Sequence, residues 1–422
     1  MNILVLSINY SPEATGFAPH TAALCEHLAA TGHRVSVVTG FPFAPYWRRL
    51  PEYRRKFSQR ESLKGVEVAR VTHFIPRRAG QFFQRLLMEG TFCLTAALTL
   101  LTSSREHLDV VVYVGAQPSI AMLARLISTL KRVPYLVKIT DLAAQAAVDV
   151  GIIKSGPLRN ILEKFEFVAY RRAAGASVLC RGFQDVLVNK GYPANRIRVI
   201  YNSEDLKLIR PVDSGGAFRQ KHGIAPDAFV VLYSGSFGIK QGMGNIVEAA
   251  RLVRKTDPSL KWLLVGDGEL RPLVEKLIVD DDLQQQVILL PLQEEAEMSS
   301  MFSAADVLLL NQLTEVKDSV IPGKLLTYMA AGRPVVAAIN STSQAAAMIR
   351  EAEGGMLVTP EDPVALAEAV KQLADDRNKL APMGRRNRLY AEQHFDRTRI
   401  MADQEEFLLA VVNEKTAQTG LA

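Results

Sequence analysis

The sequence is poor in cysteine and histidine, and this argues against several classes of function. Its three cysteines lie far apart among 422 residues, and its seven histidines show no spacing typical of metal ligands. We therefore expect neither a disulfide framework nor a metal site, and a reducing compartment fits best. Because the first residues already have the pattern of a strand, we expect no signal peptide and a cytoplasmic protein.

Three common catalytic or phosphate-binding motifs are also missing. Gly266-Asp-Gly268 lacks the third glycine of a dinucleotide fingerprint, and Gly323-Lys324 lacks the upstream glycine of a P-loop. No Gly-x-Ser-x-Gly nucleophile elbow occurs. The sequence therefore argues against a dehydrogenase, a P-loop kinase and a serine hydrolase.

What the sequence does contain is a repeated alternation of short apolar strands and amphipathic helices. Such strands, apolar along their whole length, are typical of parallel sheets covered on both faces. One series runs from residue 3 to residue 200, and a second runs from residue 229 to residue 358. We predict an α/β fold with two Rossmann-like, doubly wound domains that face each other across a ligand-binding cleft.

A polar segment rich in turn formers, residues 202–216, separates the two series. We place an N-terminal domain at 1–203 and a C-terminal domain at 204–395. We expect residues 396–422 to form a helix that packs back toward the N-terminal domain.

Basic residues and aromatic residues are interleaved between Trp47 and Arg85, in a chain of net charge +6. Such a patch fits nucleic acid or an anionic membrane. The adjoining segment 82–101 favours the membrane, because its uncharged run is apolar but shorter than the ~20 residues that cross a bilayer. We expect residues 46–101 to contact the inner face of the membrane, and we expect no nucleic acid. A buried crossover helix beside a solvated basic loop is the alternative.

The most informative segment is residues 319–334. Pro322 suits the first turn of a helix, and Gly332 followed by Pro334 suits its end. The start of this helix combines free N–H groups, a positive dipole end and Lys324, which predicts a site for a phosphate-bearing ligand. The alternative is an ordinary helix whose lysine points outward.

The order of these loops resembles the retaining glycosyltransferases of family 4 (GT4), which have the two-domain GT-B architecture. The closest likeness is to bacterial enzymes of exopolysaccharide, colanic acid and O-antigen assembly. The resemblance covers almost the whole chain and rests on residues 9–16, 32–39, 233–242, 266–268 and 319–334. It implies that a sugar moves with retention from a UDP- or GDP-sugar to a polyprenyl-linked or saccharide acceptor. No metal or other cofactor is implied.

The resemblance also implies that the domain at 1–203 binds the acceptor and that the domain at 204–395 binds the nucleotide sugar, and it implies positions for this donor. Lys240 would meet the diphosphate, and Gly235 and Ser236 would line the same pocket. The remaining donor-binding positions are of four kinds. They are Gly266 and Gly268 in a loop, Leu290 at the end of a strand that bonds the base, Pro322, Gly323 and Lys324 at the helix start, and Gly16 between the domains.

Departures from the family pattern concern the carboxylates. Ser319 and Thr327 stand where many members carry two glutamates, so hydroxyl groups replace carboxylates at these donor-binding positions. Glu315 and Asp318, just upstream, are the candidates to contact the sugar instead. Asp141 matches a polar position of the acceptor cleft, although it also suits a helix cap through Ala144.

Transfer from a nucleoside diphosphate chiefly requires stabilisation of the anionic leaving group, which Lys240 and Lys324 are suited to provide. A binding paralogue with an altered active site is one alternative, favoured by the missing carboxylates. A sugar-nucleotide epimerase or hydrolase is another, although the sequence offers no convincing acid–base pair for it.

Overall fold

The computed structural model describes residues 1–13, 16–44, 47–77, 81–102, 107–144, 156–316 and 321–420. These residues form two compact units. The N-terminal unit contains Met1–Asn202 together with Thr398–Ala422, and the C-terminal unit contains Ser203–Arg397. Within the described ranges, no helix combines the length and the apolar character that crossing a bilayer requires.

An eight-stranded sheet forms the centre of the N-terminal unit. Its strands are β1 (Asn2–Leu6), β2 (Arg34–Gly40), β3 (Ser58–Leu63), β4 (Val66–Val71), β5 (Val110–Gly115), β6 (Tyr135–Ile139), β7 (Gly175–Val178) and β8 (Ile197–Val199), in the order β3-β4-β2-β1-β5-β6-β7-β8. All neighbours are parallel except β3 and β4. The predicted doubly wound sheet is thus confirmed, but the prediction of purely parallel strands missed the antiparallel edge.

The missed strand β3 has no apolar signal in its sequence, Ser-Gln-Arg-Glu-Ser-Leu. It lies at the sheet edge, where neither face needs to be apolar, and exposed residues alternate with half-buried ones along it. Lys64 and Gly65 connect it to β4 with φ of +49° and +82°, as a tight hairpin turn requires. Edge strands of this kind escape a search for buried strands.

The helices of this unit are α1 (Ala18–Ala30), α2 (Phe82–Thr102), α3 (Pro118–Lys131), α4 (Pro157–Tyr170), α5 (Arg181–Asn189) and α14 (Arg397–Gly420). Helix α3 contacts both α2 and α4, so these three form one layer. Helix α14 brings Phe407 and Val411 so close to Gly175 that a Cβ there would stand 2.8 Å from each side chain. Its Glu405 also bonds His27 and His33 at 2.8 and 2.9 Å.

The C-terminal unit has a six-stranded, wholly parallel sheet. Its strands are β9 (Val230–Ser234), β10 (Lys261–Val265), β11 (Val287–Leu290), β12 (Val307–Asn311), β13 (Val335–Ala338) and β14 (Gly355–Val358), in the order β11-β10-β9-β12-β13-β14. Its helices are α6 (Gly215–Lys221), α7 (Met243–Arg254), α8 (Arg271–Asp280), α9 (Glu295–Ala304), α10 (Gly323–Ala330), α11 (Gln344–Ala352), α12 (Pro363–Asp375) and α13 (Leu380–His394).

The strand order reverses between β9 and β12. From β9 the chain proceeds outward to β10 and β11, and it then returns to β12 on the other side of β9. Loops that leave the carboxyl ends of such a pair diverge, and the crevice between them is where ligands of open α/β sheets bind. Here the loop after β9 is residues 235–242, and the described residues that follow β12 are 312–316.

Helix α13 anchors the far end of α10. Arg388 donates from Nη1 to the carbonyl oxygens of Ala330 and Ile209, at 2.7 and 2.8 Å, and from Nη2 to that of Leu206 at 3.0 Å. A cation at the last carbonyls of a helix is stabilised by the helix dipole as well as by the bonds. The position of α10 therefore depends on this arginine.

We expect Arg388→Ala to lower the free energy of unfolding of the C-terminal unit by about 2–3 kcal/mol, since three carbonyl groups lose a charged donor. Arg385→Ala, at an exposed position of the same helix, is the matched control and should change it by less than about 0.5 kcal/mol. Denaturant unfolding measures both. Equal effects of the two substitutions would contradict the anchoring role.

Candidate functional site

The loop after β9 is held to the loop after β10 by main-chain hydrogen bonds. Gly235 N donates to Val265 O and Phe237 N donates to Asp267 O, both at 2.9 Å. Beyond the strand ends, Gly266 N donates to Leu290 O at 3.1 Å. These bonds give residues 235–238 a fixed path along the carboxyl edge of the sheet.

Glycine is required in these loops by the protein's own packing. A Cβ on Gly266, whose φ is +159°, would stand 1.9 Å from the Gly235 carbonyl oxygen. A Cβ on Gly268 would stand 2.9 Å from the Phe237 carbonyl oxygen. Contact with the nucleotide stays a prediction for both, because their neighbours within the protein already account for their small size.

Lys324 lies in the first turn of α10. The residue as a whole is half-buried, and its ammonium end is the part removed from solvent. Its Nζ donates to the Tyr233 hydroxyl at 2.7 Å and to Gln241 Oε1 at 2.8 Å, and it lies 4.1 Å from the centroid of the Tyr233 ring. Among the described residues, no carboxylate lies within ion-pair distance of it. Burial lowers the pKa of Lys324 to about 7. This ammonium group therefore lacks an anion that the described protein could supply.

The lysine also lies directly beside the loop after β9. A Cβ on Gly235 would stand 3.2 Å from Lys324 Nζ, so this glycine leaves room for the ammonium group. The helix predicted within residues 319–334 is present, but the sequence analysis placed Pro322 in its first turn. In the structure Pro322 is extended, with φ of −60° and ψ of 120°, and immediately precedes α10, where it leaves Gly323 as the first helical residue.

Lys240 belongs to a short 3₁₀ helix, Ile239–Gln241, in the same loop. It is half-buried, and its carbonyl oxygen accepts a bond from Leu313 N at 3.0 Å. The next residue, Gln241, accepts from Lys324 Nζ, so the short helix that carries Lys240 also contacts Lys324. Ser236 is exposed on the same loop.

Asn311, at the end of β12, was missed from the sequence. It is fully buried, and its Nδ2 donates to the carbonyl oxygens of Gln241 and Gly242 at 2.7 and 3.0 Å. Its Oδ1 accepts from Asn245 Nδ2 at 2.8 Å. An amide that ends an otherwise apolar strand, Val-Leu-Leu-Leu-Asn, is the signal that could have revealed it.

Thr327 does not present a free hydroxyl as predicted. Its Oγ1 donates to Glu204 Oε2 at 2.5 Å, so its hydrogen is already used within the unit. Burial raises the pKa of Glu204, and the bond from Thr327 opposes that rise. A carboxylate thus lies beside position 327, although Glu204 is 123 residues away in the sequence and could not be found from it.

The remaining predicted positions of the C-terminal unit are less informative. Glu315 is exposed, and Leu290 accepts from Gly266 N through its carbonyl oxygen, so that acceptor is partly occupied. Asp318 and Ser319 lie outside the described residues. No group of three histidine, cysteine or acidic side chains suited to a metal occurs in the part of the chain that the structure describes.

The two predicted positions of the N-terminal unit lie at the carboxyl side of its sheet. Gly16 has a φ of +64°, which favours glycine, and no described atom lies within 4 Å of a Cβ built there. Asp141 follows β6, and its Oδ1 accepts from Leu142 N at 2.8 Å. Glu166 accepts from Ala143 N at 2.7 Å, so a second carboxyl group lies beside the residues that follow β6. The cap by Asp141 through Ala144 stays an alternative.

Asp141 is linked to two further carboxyl groups that the sequence did not reveal: Glu166, which is buried, and, through Arg85, Glu89, which is half-buried. Burial raises the pKa of Glu166 to about 7, and the Asp141 charge adds to the rise. Burial likewise raises the pKa of Glu89 to about 7, while Ser119 and Arg85 oppose it. Arg85 interacts electrostatically with both Glu89 and Asp141. This cluster can therefore hold or release a proton near neutral pH.

Comparison with known proteins agrees with this geometry. Residues 15–203 match the family described as "Glycosyl transferase 4-like domain", and residues 228–376 match "Glycosyl transferases group 1". Together the two matches span most of the chain, which belongs to the glycosyltransferases.

One curated relative is the "Putative colanic acid biosynthesis glycosyl transferase WcaI" of Escherichia coli K12, which is 27% identical over 95% of this chain and 98% of its own. The fold is similar to that of sucrose-phosphate synthase from Thermosynechococcus elongatus, with a TM-score of 0.77, 18% identity and coverage of 98% and 99% of the two chains.

It is also similar to Anabaena HepE, solved in complex with UDP-glucose, with a TM-score of 0.70, 18% identity and coverage of 97% and 100%. The predicted GT-B fold and the predicted family are thereby confirmed.

We expect Gly266→Ala to destabilise the C-terminal unit by roughly 2–4 kcal/mol, because the new methyl group would collide with the Gly235 carbonyl. Gly216→Ala is the control: it lies in α6 with open space around its Cβ and should stabilise by about 0.5–1 kcal/mol. Thermal unfolding midpoints of the two variants measure these effects. An unchanged midpoint for Gly266→Ala would show that the loop rearranges to accommodate the methyl group.

Glu166→Gln should change how stability depends on pH. A carboxyl group whose pKa is about 7 when folded and 4.5 in its unperturbed state binds an extra proton in the folded chain between these values. Its contribution to the free energy of unfolding is therefore present below pH 4.5 and is lost as the pH rises through 7.

Between pH 5 and pH 8 we expect the glutamine variant to gain on the order of 2 kcal/mol relative to wild type. Glutamine keeps an oxygen that accepts the Ala143 bond, so packing is preserved. Thermal unfolding midpoints across this range provide the measurement, and a constant difference between the proteins would show that Glu166 does not titrate there.

Proposed function

We propose that this glycosyltransferase moves a sugar, with retention, from a UDP- or GDP-sugar to a polyprenyl-linked or saccharide acceptor in cell-envelope polysaccharide synthesis. The observation that carries the donor assignment is the buried ammonium group of Lys324, which lacks a described carboxylate partner. It lies where the strand order reverses, and a diphosphate supplies the missing negative charge. The names of the colanic acid relative and of the UDP-glucose complex agree with this choice.

In the proposed reaction, the bond between the anomeric carbon and the diphosphate oxygen breaks, and the acceptor hydroxyl oxygen forms the new bond to that carbon. The hydroxyl proton leaves with the departing diphosphate. Lys324, Lys240 and the N–H groups at the start of α10 stabilise the charge that develops on the leaving group. We assign this stabilisation to cationic side chains and propose that no metal or other cofactor takes part.

The N-terminal unit is proposed to bind the acceptor near Gly16 and Asp141. We further propose that the protein works in the cytoplasm at the inner face of the membrane, through residues 46–101. Helix α2 supports this contact because one side packs inward through Met88 and Phe92, while Leu94 and Leu101 are 62% and 69% exposed. Apolar side chains exposed beside a basic segment favour an anionic interface.

A panel of UDP- and GDP-sugars, each with a polyprenyl-linked acceptor, tests the proposal. Sugar that appears on the lipid with its anomeric configuration kept is the expected result. Free sugar without transfer, an epimerised donor, or donor binding without any product would each reject the assignment in favour of a hydrolase, an epimerase or a binding paralogue.

We expect Lys324→Met to lower turnover by roughly a hundredfold or more, because one charge-assisted contact to the leaving group is lost. Lys240→Ala should have an effect of similar size. The matched control is Lys276→Met, an exposed lysine of α8, which should keep full turnover. Normal unfolding midpoints confirm that the variants are folded.

The same lysine predicts a pH dependence of donor binding. Since burial lowers the pKa of Lys324 to about 7, the fraction of ligand-free protein with a charged lysine falls as the pH rises through 7. Affinity for a UDP-sugar should therefore weaken from pH 6 to pH 8 in the wild type. Calorimetry at several pH values measures this affinity. If the affinity of Lys324→Met weakens equally over the same pH range, Lys324 is not the cause.

A further inference from the structure

A basic cavity of about 340 Å³ opens in the N-terminal unit, at the edge of the sheet where β6, β7 and β8 begin. This is the edge opposite to Asp141, so the cavity is separate from the predicted acceptor position. Four arginines line it, with one carboxylate, Glu414: Arg125, Arg132, Arg172 and Arg196. Tyr135 and Val411 contribute to its wall.

The arginines are not neutralised within the described parts of the chain. Arg125 donates from Nη1 to the carbonyl oxygen of Val168 at 2.8 Å, which fixes its position. Arg132, Arg172 and Arg196 are exposed and form no ion pair with a described residue. With four guanidinium groups and one carboxylate, the cavity keeps a net positive charge that favours the binding of an anion. Their forked donors suit a phosphate group in particular.

Exposed apolar side chains lie beside this cavity. On α3, Leu126 and Leu130 are 55% and 68% exposed, and they flank Arg125 and Arg132 in sequence. On α4, the exposed apolar residues recur at helical spacing along one side: Leu158, Ile161, Phe165 and Val168. Since α3 contacts α4, these side chains extend along two adjacent helices of one layer. We call them the α3–α4 apolar face.

We propose that the arginine cavity binds the phosphate of an anionic phospholipid headgroup while the α3–α4 apolar face enters the outer part of the acyl layer. The combination favours a lipid over a free phosphate, because a soluble anion leaves the neighbouring leucines and Phe165 in water. This inference deepens the proposed membrane contact, which was assigned to residues 46–101 alone, and it rests on that proposed function. The proposed membrane contact now includes α3 and α4, which the sequence analysis did not assign to the membrane.

Vesicle sedimentation tests the cavity, with phosphatidylcholine vesicles that contain or lack phosphatidylglycerol. We expect the full-length wild type to bind the anionic vesicles more tightly. Arg132→Gln/Arg172→Gln should weaken that binding roughly 30-fold, from the known contribution of arginines near an anionic surface. The control with the same change in charge is Lys276→Gln/Arg385→Gln, at exposed positions of the C-terminal unit, and should bind as wild type.

The apolar face has its own test. Leu126→Ser/Leu130→Ser should weaken vesicle binding by tenfold or more, and this loss should persist at high salt, which screens the arginine contribution. Both residues are exposed, so folding should be unaffected. If either double variant binds anionic vesicles like wild type, the proposal is overturned.

A soluble anion is the competing occupant. Inorganic phosphate that stabilises the wild type but not Arg132→Gln/Arg172→Gln, together with equal vesicle binding by both, would assign the cavity to a free phosphate and reject the lipid. Vesicle binding is measured without donor or acceptor, so its failure is distinct from a failure of sugar transfer. Transfer to a soluble saccharide acceptor should be the same in the arginine variant and in wild type.

Discussion

The C-terminal unit depends on one unusual constraint, a buried ammonium group that the described protein leaves without a counter-ion. Lys324 could have been a solvated residue at a helix start. Instead, Tyr233 and Gln241 hold it beneath the loop after β9, with Gly235 providing the necessary space. Burying a charge in this way costs free energy, which the lysine recovers either by losing its proton or by meeting an anion. In the proposed function, the diphosphate of the donor is that anion.

Much of the surrounding structure maintains that constraint. Asn311 fixes the end of the 3₁₀ helix that carries Gln241, and Tyr328 bonds both the N–H and the carbonyl of Ser234. At the other end of α10, Arg388 donates to the carbonyl oxygen of Ala330, the last residue of the helix. The lysine is thus positioned by contacts at both ends of its helix and by the loop above it, which is the preorganisation that electrostatic catalysis requires.

The sequence predicted the fold well because the fold follows from local patterns. Apolar strands alternating with helices are visible in one chain, and the segment 319–334 carries its helix start and stop in its own residues. The edge strand β3 was missed because its polar residues carry no burial signal. Glu204 beside Thr327, and Glu89 and Glu166 near Asp141, were missed for a different reason. Their significance arises only when residues distant in sequence meet in the folded chain.

One feature of the connectivity affects how the chain is made. The C-terminal unit is inserted into the N-terminal one, and its first and last residues are joined by main-chain bonds, with Glu204 N donating to Phe395 O at 2.8 Å and Arg397 N donating to Glu204 O at 3.1 Å. Phe407, Leu408 and Val411 of α14 complete the core on one side of the first sheet. A ribosome therefore releases every residue of the second unit before it supplies this last piece of the first. The unit that begins synthesis first therefore completes its core last. Until α14 has been synthesised, Gly175 of β7 lacks the Phe407 and Val411 side chains that cover it in the folded chain.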